Sequence, residues 1–355
     1  MEVRELIQRR LFHQMVCRQV YQKPWEVVHH MGAMQAQDYY ASLLAVGLRI
    51  SRDARATAKL VERDIVKKKI VRTWPMRGTL HLVAATDVRA MLALLTPRVI
   101  RSSAGRYRQL ELDEAVFSKA RGIIEKALAG GKMLTRLDLY LIFEKQGIST
   151  NGQRGIHILA HLAQKAVICF GPKLGKQPTF VLLDEWIPGA NTFDPEESLA
   201  TLTKQYFSSH GPATAHDFAT WAGLTVGDAK RGIGSVSGNF EKIKLQDRVF
   251  YFPSEKSVPP TDPAAAWLLP AFDEMLCGYK DKSDILPGDK IKTTILRNGI
   301  IKPIIVDGEQ VVGTWNWIRN RERKKLETLF FEELPEGKID SVREQAAWLE
   351  MFYQS

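Results

Sequence analysis

The sequence predicts an α+β fold: tandem winged helix-turn-helix domains, about three in number, followed by a C-terminal β-rich module. Three observations predict it. Apolar positions recur at helical spacing in pairs and triplets of segments. Each such group is followed by two β-branched runs flanking a turn, the order of a helix-turn-helix with its wing. After the proline-rich stretch Ser254–Pro263, read as a linker, the pattern changes to short apolar strands. The expected domains are residues 1–110, 111–190, 191–255 and 264–355.

The elements follow in order. Residues 3–20 carry Val3, Leu6, Ile7, Leu11, Met15 and Val16 at helical spacing, and Lys23-Pro24 breaks that helix before a second from Trp25 to His30. Residues 56–69 make another helix, ending in Lys67, Lys68 and Lys69, which suits the negative end of a helix dipole. Residues 70–83 read as two strands around a turn. The second group has helices over 113–129, 134–146 (ended by Gly147) and 153–165. Its wing runs 166–170, a basic turn 171–178, and 179–183. The third group has helices at 196–210, 214–222 and 226–233, then strands 240–245 and 248–252 with Asp247 in their turn. In the last module, Ala266–Phe272 reads as a buried strand. Ile301–Ile305 and Gln310–Trp315 flank Asp307-Gly308, a hairpin signal, and Val342–Phe352 is a closing helix.

Composition narrows the function. Of 355 residues, 45% are apolar and 25% charged, which excludes a disordered or collagen-like chain. The formal net charge of +10 is unevenly placed: residues 1–110 hold 20 Lys+Arg against 8 Asp+Glu, and the remainder 30 against 32. A basic first third points to an anionic partner, nucleic acid before membrane. No secretory leader is legible at the N-terminus, and no run approaches about 18 apolar residues. Cys17, Cys169 and Cys277 are odd in number and far apart, as expected of free thiols in the cytoplasm. His157 and His161 stand i, i+4 without a third ligand at zinc-like spacing, so no metal is expected. Gly171–Lys176 lacks the spacing of a phosphate loop, and Gly232, Gly234 and Gly238 miss the dinucleotide fingerprint by one residue, so no cofactor is expected either.

Several short motifs remain. Gln35-Ala36-Gln37-Asp38 follows the second helix; Leu48-Arg49 and Met76-Arg77-Gly78-Thr79-Leu80-His81 come later. The C-terminal third holds Leu269 to Asp273-Glu274, Gly278-Tyr279-Lys280-Asp281, Asn298-Gly299, Lys302-Pro303, Asp307-Gly308 and Val312 to Trp315. In this order and combination they resemble the AlkZ/YcaQ-type family of tandem winged-helix DNA glycosylases, which excise alkylated bases and unhook interstrand crosslinks. The resemblance spans nearly the whole chain. It implies that Gln35 and Gln37 form the family's Gln-apolar-Gln catalytic motif, the form of its crosslink-unhooking branch. It also implies a monomeric enzyme acting on double-stranded DNA with alkylated or crosslinked purines, in the bacterial cytoplasm and at the nucleoid.

The chemistry agrees with that implication. Glycosidic hydrolysis passes through an oxocarbenium-like state and needs an oriented water. A neutral glutamine can orient and polarise but cannot take a proton. That suffices only for a base already cationic, an N7- or N3-alkylated purine, which leaves without a general acid. Spaced i, i+2, the two side chains share one face only where the backbone is extended; in a helix they point about 200° apart. The reading therefore requires a break near Gly32. Two polar residues capping a helix or lying exposed would look the same in sequence. Expected DNA contacts are Arg77 and His81, Lys67–Lys69, Lys173 and Lys176, and the Asp307-Gly308 hairpin. Each has a plainer alternative: a buried Arg with a core His, a solvated helix end, a solvated wing, an ordinary turn. Asp38 could assist, and Asp273 and Lys280 could be a structural pair. The competing reading of the chain is a non-catalytic winged-helix regulator or architectural DNA binder.

Overall fold

The computed structural model describes residues 2–189, 193–254, 262–319 and 324–354. The chain divides into two compact units, residues 62–202 and residues 1–61 with 203–355. The expected boundaries are cut differently: the first division falls inside 1–110 and the second inside 191–255. Most of the stretch read as a linker at 254–263 lies outside the described residues.

In the unit 62–202, the hairpin Ile70–Met76/Thr79–Ala84 and the wing Ile168–Leu174/Gln177–Leu182 belong to one sheet. They join through Arg72 opposite Phe170, and Leu134–Thr135 pairs with the outer wing strand. The aromatic side chains explain the junction. Trp74, Phe170 and Phe180 pack tilted against one another at 4.5–5.0 Å between neighbours and enter a core with Phe117, Leu139, Phe143, Ile158 and Leu162. The helices over this core are Glu114–Leu128, Arg136–Lys145 and Arg154–Gln164, close to the sequence expectation. Asp113 and Thr135 cap two of them with side-chain oxygens. The wing strands are longer than expected, leaving a turn of Gly175 and Lys176. Two helices unforeseen in the sequence, Val88–Ser102 and Ala104–Gln109, complete the unit.

In the other unit, the first helix is Val3–His13 rather than 3–20. Met15 takes φ +60 and the Val16 N–H turns back to the Leu11 carbonyl, ending the helix while keeping Met15 and Val16 buried. Pro24–Met31 follows with Pro24 in its first turn, then the short strand Ala33–Gln35 and the helix Tyr39–Gly47. Thr214 caps the helix Ala215–Ala222 and Thr225 the helix Val226–Ser235; the strands Phe240–Leu245 and Arg248–Pro253 form their wing. The C-terminal module is a four-stranded antiparallel sheet in the order Lys324–Phe330, Val311–Arg319, Ile304–Val306, Trp267–Leu269. The terminal helix, Glu336–Gln354, is longer than expected; Gln345 and Ser341 bind the backbone of Leu268 and Ala266.

Candidate active site around Gln35

The helix Pro24–Met31 stops at Gly32, which takes φ +73 and lies against the Trp221 ring; a Cβ there would meet Trp221 Cη2 at 3.4 Å. A side chain at that position would be strained by the backbone and crowded by the indole. The break turns the chain into the extended Ala33–Gln35 strand. Gln35 is half-buried. Its Oε1 is buried and has no hydrogen-bond partner among the described residues. Gln37, two residues on in a bend, is exposed. Asp38 is the N-cap of the helix Tyr39–Gly47, accepting from the Ala41 N–H at 3.0 Å, so its carboxylate has a structural task.

Behind the motif lies a buried polar network drawn from both ends of this unit's sequence. The Gln35 N–H donates to Glu274 Oε1 at 2.8 Å. Glu274 Oε2 accepts from Trp221 Nε1 at 3.0 Å and faces His210 Nε2 at 3.4 Å. Next to it, Asp273 receives a two-pronged contact from Arg49, 2.9 Å on each oxygen. The remaining Arg49 protons go to the Ala45 and Gln14 carbonyls and to Gln14 Oε1, so all five donors of a guanidinium with no solvent exposure are satisfied. Gln14 Nε2 donates to Tyr279 Oη at 3.0 Å, and the Tyr279 hydroxyl donates to the His210 carbonyl at 2.8 Å. Gly278 has to be small: a Cβ would stand 2.5 Å from His210 Cδ2 and 2.6 Å from the Glu274 carbonyl. Burial holds the Tyr279 phenol well above its ordinary range. Burial likewise pushes the His13 and His30 imidazoles down to about 4, each neutral ring facing a backbone carbonyl, Gly211 O and His13 O.

This network corrects one expectation. Asp273 pairs with Arg49, not with Lys280; Lys280 is exposed and its N–H goes to Asp217 Oδ1. A carboxylate selects the partner that can satisfy both its oxygens inside the protein. Gln14, His210 and Trp221 carried no sequence signal, since single polar or aromatic residues on helices look alike wherever they point. Glu274 stood inside a recognisable motif without a role.

The other expected site residues are placed as follows. In the unit 62–202, Arg77 is exposed at the turn of the first hairpin, at φ +55. His81 is wholly buried. Its Nδ1 donates to the Thr79 carbonyl at 3.0 Å and its Nε2 accepts from Arg77 Nη2 at 3.3 Å. His81 therefore meets Arg77 from within the fold. Lys67, Lys68 and Lys69 are exposed past the helix Ala58–Val66, with the Lys68 ammonium 4.5 Å over the Trp186 ring. Lys173 pairs with Glu62 at 3.1 Å, whereas Lys176 is exposed at the wing tip. His161 stacks on Phe117 at 3.7 Å as a core ring. In the other unit, Asp307 and Gly308 are buried: Asp307 binds Lys338 at 2.5 Å and accepts two N–H groups of its own turn. They build the turn, and Glu309 and Gln310 are what it exposes.

The sequence pattern of the family described as DNA glycosylase AlkZ-like matches residues 28–352, and the chain belongs to that family. A Streptomyces sahachiroi protein named interstrand DNA cross-link repair glycosylase is 28% identical over 311 residues, covering 82% of this chain and 81% of that protein. The solved structure of Streptomyces sahachiroi DNA glycosylase AlkZ superposes with a TM-score of 0.82 at 24% identity, over 99% of this chain and 96% of the other; this likeness shows the fold. The chain is thus a DNA glycosylase, a hydrolase, with the winged-helix architecture, and the non-catalytic alternative falls away. Among the described residues no helix is long and apolar enough to cross a membrane.

Proposed function

We propose that this enzyme is a monofunctional DNA glycosylase that hydrolyses the N-glycosidic bond of cationic N7- or N3-alkylated purines, including purines tied into interstrand crosslinks. The observation that carries the reading is the Gln35 side-chain carbonyl: a buried acceptor with no donor among the described residues, two positions from exposed Gln37. A buried unpaired carbonyl is costly unless something donates to it, and a water held for attack at the anomeric carbon is such a donor. Gln37 would stabilise the sugar cation from the solvent side. Neither amide can protonate a leaving group, so the substrate must carry its own positive charge. The relative named for interstrand crosslink repair favours the crosslinked members of that class. Lys67–Lys69, Arg77, Lys173 and Lys176 would hold the phosphates, with Lys173 first releasing Glu62.

The test is incubation with duplex DNA carrying a single N7-methylguanine, followed by alkaline cleavage at the abasic site. The wild type should cut at the lesion. Gln35→Ala and Gln37→Ala should each slow excision by about 10²- to 10³-fold with duplex affinity retained. A wild type inactive on both N7-methylguanine and a purine–purine crosslink would sink the reading.

A further inference from the structure

The chemistry assigned to Gln35 and Gln37 leaves a buried carboxylate unused. Glu274 is 1% exposed, and groups from three separate parts of the chain converge on it: the Gln35 N–H on Oε1, and the Trp221 Nε1–H and the His210 Nε2 atom on Oε2. Its own peptide is held as well, the Gln14 amide donating to the Glu274 carbonyl at 3.5 Å and the Gly278 N–H at 2.8 Å. A carboxylate this deep survives only where donors replace its water. Here one of those donors is the backbone of the residue assigned to the attacking water.

We propose that Glu274 is the positioning residue of the Gln35-Ala36-Gln37 motif: its carboxylate anchors the Gln35 peptide and so fixes where the Gln35 side-chain carbonyl points. The inference rests on the role given to Gln35 under the proposed function. Gly32, at φ +73, has ended the helix, and the strand that follows is three residues long. Trp221 serves both ends of the arrangement, its ring packed against Gly32 and its N–H on Glu274. A carboxylate is required rather than an amide. Glutamine at 274 has one oxygen; with that oxygen on Gln35, its NH2 faces the Trp221 N–H, and reversed it faces the Gln35 N–H. The substitution keeps the shape and must lose one side of the junction.

The experiment compares wild type, Glu274→Gln, Gln35→Ala and the double variant in single-turnover excision of N7-methylguanine from duplex DNA. Each is titrated to saturation, with amide hydrogen exchange followed over residues 33–37. Glu274→Gln should lower the saturated rate by about 10²-fold, the cost of a misplacement near 1 Å. The half-saturating concentration should stay as in wild type, and exchange at the Gln35 segment should rise. The double variant should be no slower than the slower single one, because both changes remove the same positioned carbonyl. A wild-type rate for Glu274→Gln while Gln35→Ala is impaired overturns the assignment alone, as does a rate penalty that multiplies with that of Gln35→Ala. Parallel loss of rate, affinity and melting temperature also overturns it, since that is what a merely structural carboxylate gives. If Gln35→Ala excises like wild type, the reading of Gln35 has failed and the assignment falls with it. Should Glu274→Gln not fold, Glu274→Asp, which keeps the charge but withdraws it by one methylene, carries the same expectations.

Discussion

Arg49 and Asp273 form a buried ion pair, and such pairs owe their persistence to the loss that follows when one partner goes. The guanidinium is fully enclosed, and each of its protons has an acceptor. Removing Asp273 would strand a charge in the interior. Asp273→Ala should therefore cost about 3–5 kcal/mol, read as a drop in the urea midpoint with an unchanged slope. A cost below about 1 kcal/mol, ordinary for a surface pair, would show that water reaches Arg49. Asp273 also caps the short helix Glu274–Cys277 through the Met275 N–H, so its loss loosens the turn that carries Glu274. The residue scale was the least legible in the sequence. Gln35 and Gln37 stood out because they match the Gln-apolar-Gln motif of the family that the sequence resembles. Their support did not, because Gln14, Arg49, His210 and Glu274 are separated by up to 260 positions, and a single sequence records no pairing.

Elements were more legible, since capping and periodicity are local. The helices of the second and third groups and the wing of Phe240–Pro253 follow from spacing alone. The misses have physical causes. The first helix stops early because Met15 adopts a left-handed backbone, which no residue type there announces. Asp307-Gly308 makes the expected turn but faces inward toward Lys338, a partner 31 positions away. Two helix ends carry a measurable consequence. His13 and His30 lie in the last turns of their helices, where the dipole favours imidazolium. Burial wins instead, holding both at about 4 against an ordinary 6.5. The unfolded chain thus binds protons that the fold refuses between pH 6.5 and 4, and stability falls as pH falls through that window. From pH 7 to 5 each ring should cost about 2 kcal/mol. Urea unfolding at the two pH values should show the penalty shrinking by about that amount in His30→Gln; an equal penalty in the variant would mean the rings are not the titrating groups.

At the scale of the molecule, the charge asymmetry seen in the sequence resolves along the two units rather than along the chain. Residues 62–202 hold 21 Lys+Arg against 14 Asp+Glu, and the other unit 29 against 26. Of the +12 in residues 1–110, +8 therefore belongs to 62–110, in the unit with Lys67–Lys69 and Arg77, and only +4 to residues 1–61, where Gln35 and Gln37 lie. The motif proposed to be catalytic lies in the less charged unit, and the grip on the phosphates is expected mainly from the other. That division separates affinity from chemistry. Neutralising Lys67, Lys68 and Lys69 together to Gln should weaken duplex binding uniformly across sequences. It should also reduce the slope of log K against log salt by about 1 for each of these lysines that meets a phosphate, while the saturated excision rate stays that of wild type. Measuring the affinity of wild type and the triple variant for lesion duplex across a salt series, with single-turnover rates at saturation, decides it. A slope unchanged in the triple variant would move the phosphate grip elsewhere on the unit, and a fall in the saturated rate would mean that the basic unit also holds the lesion for attack.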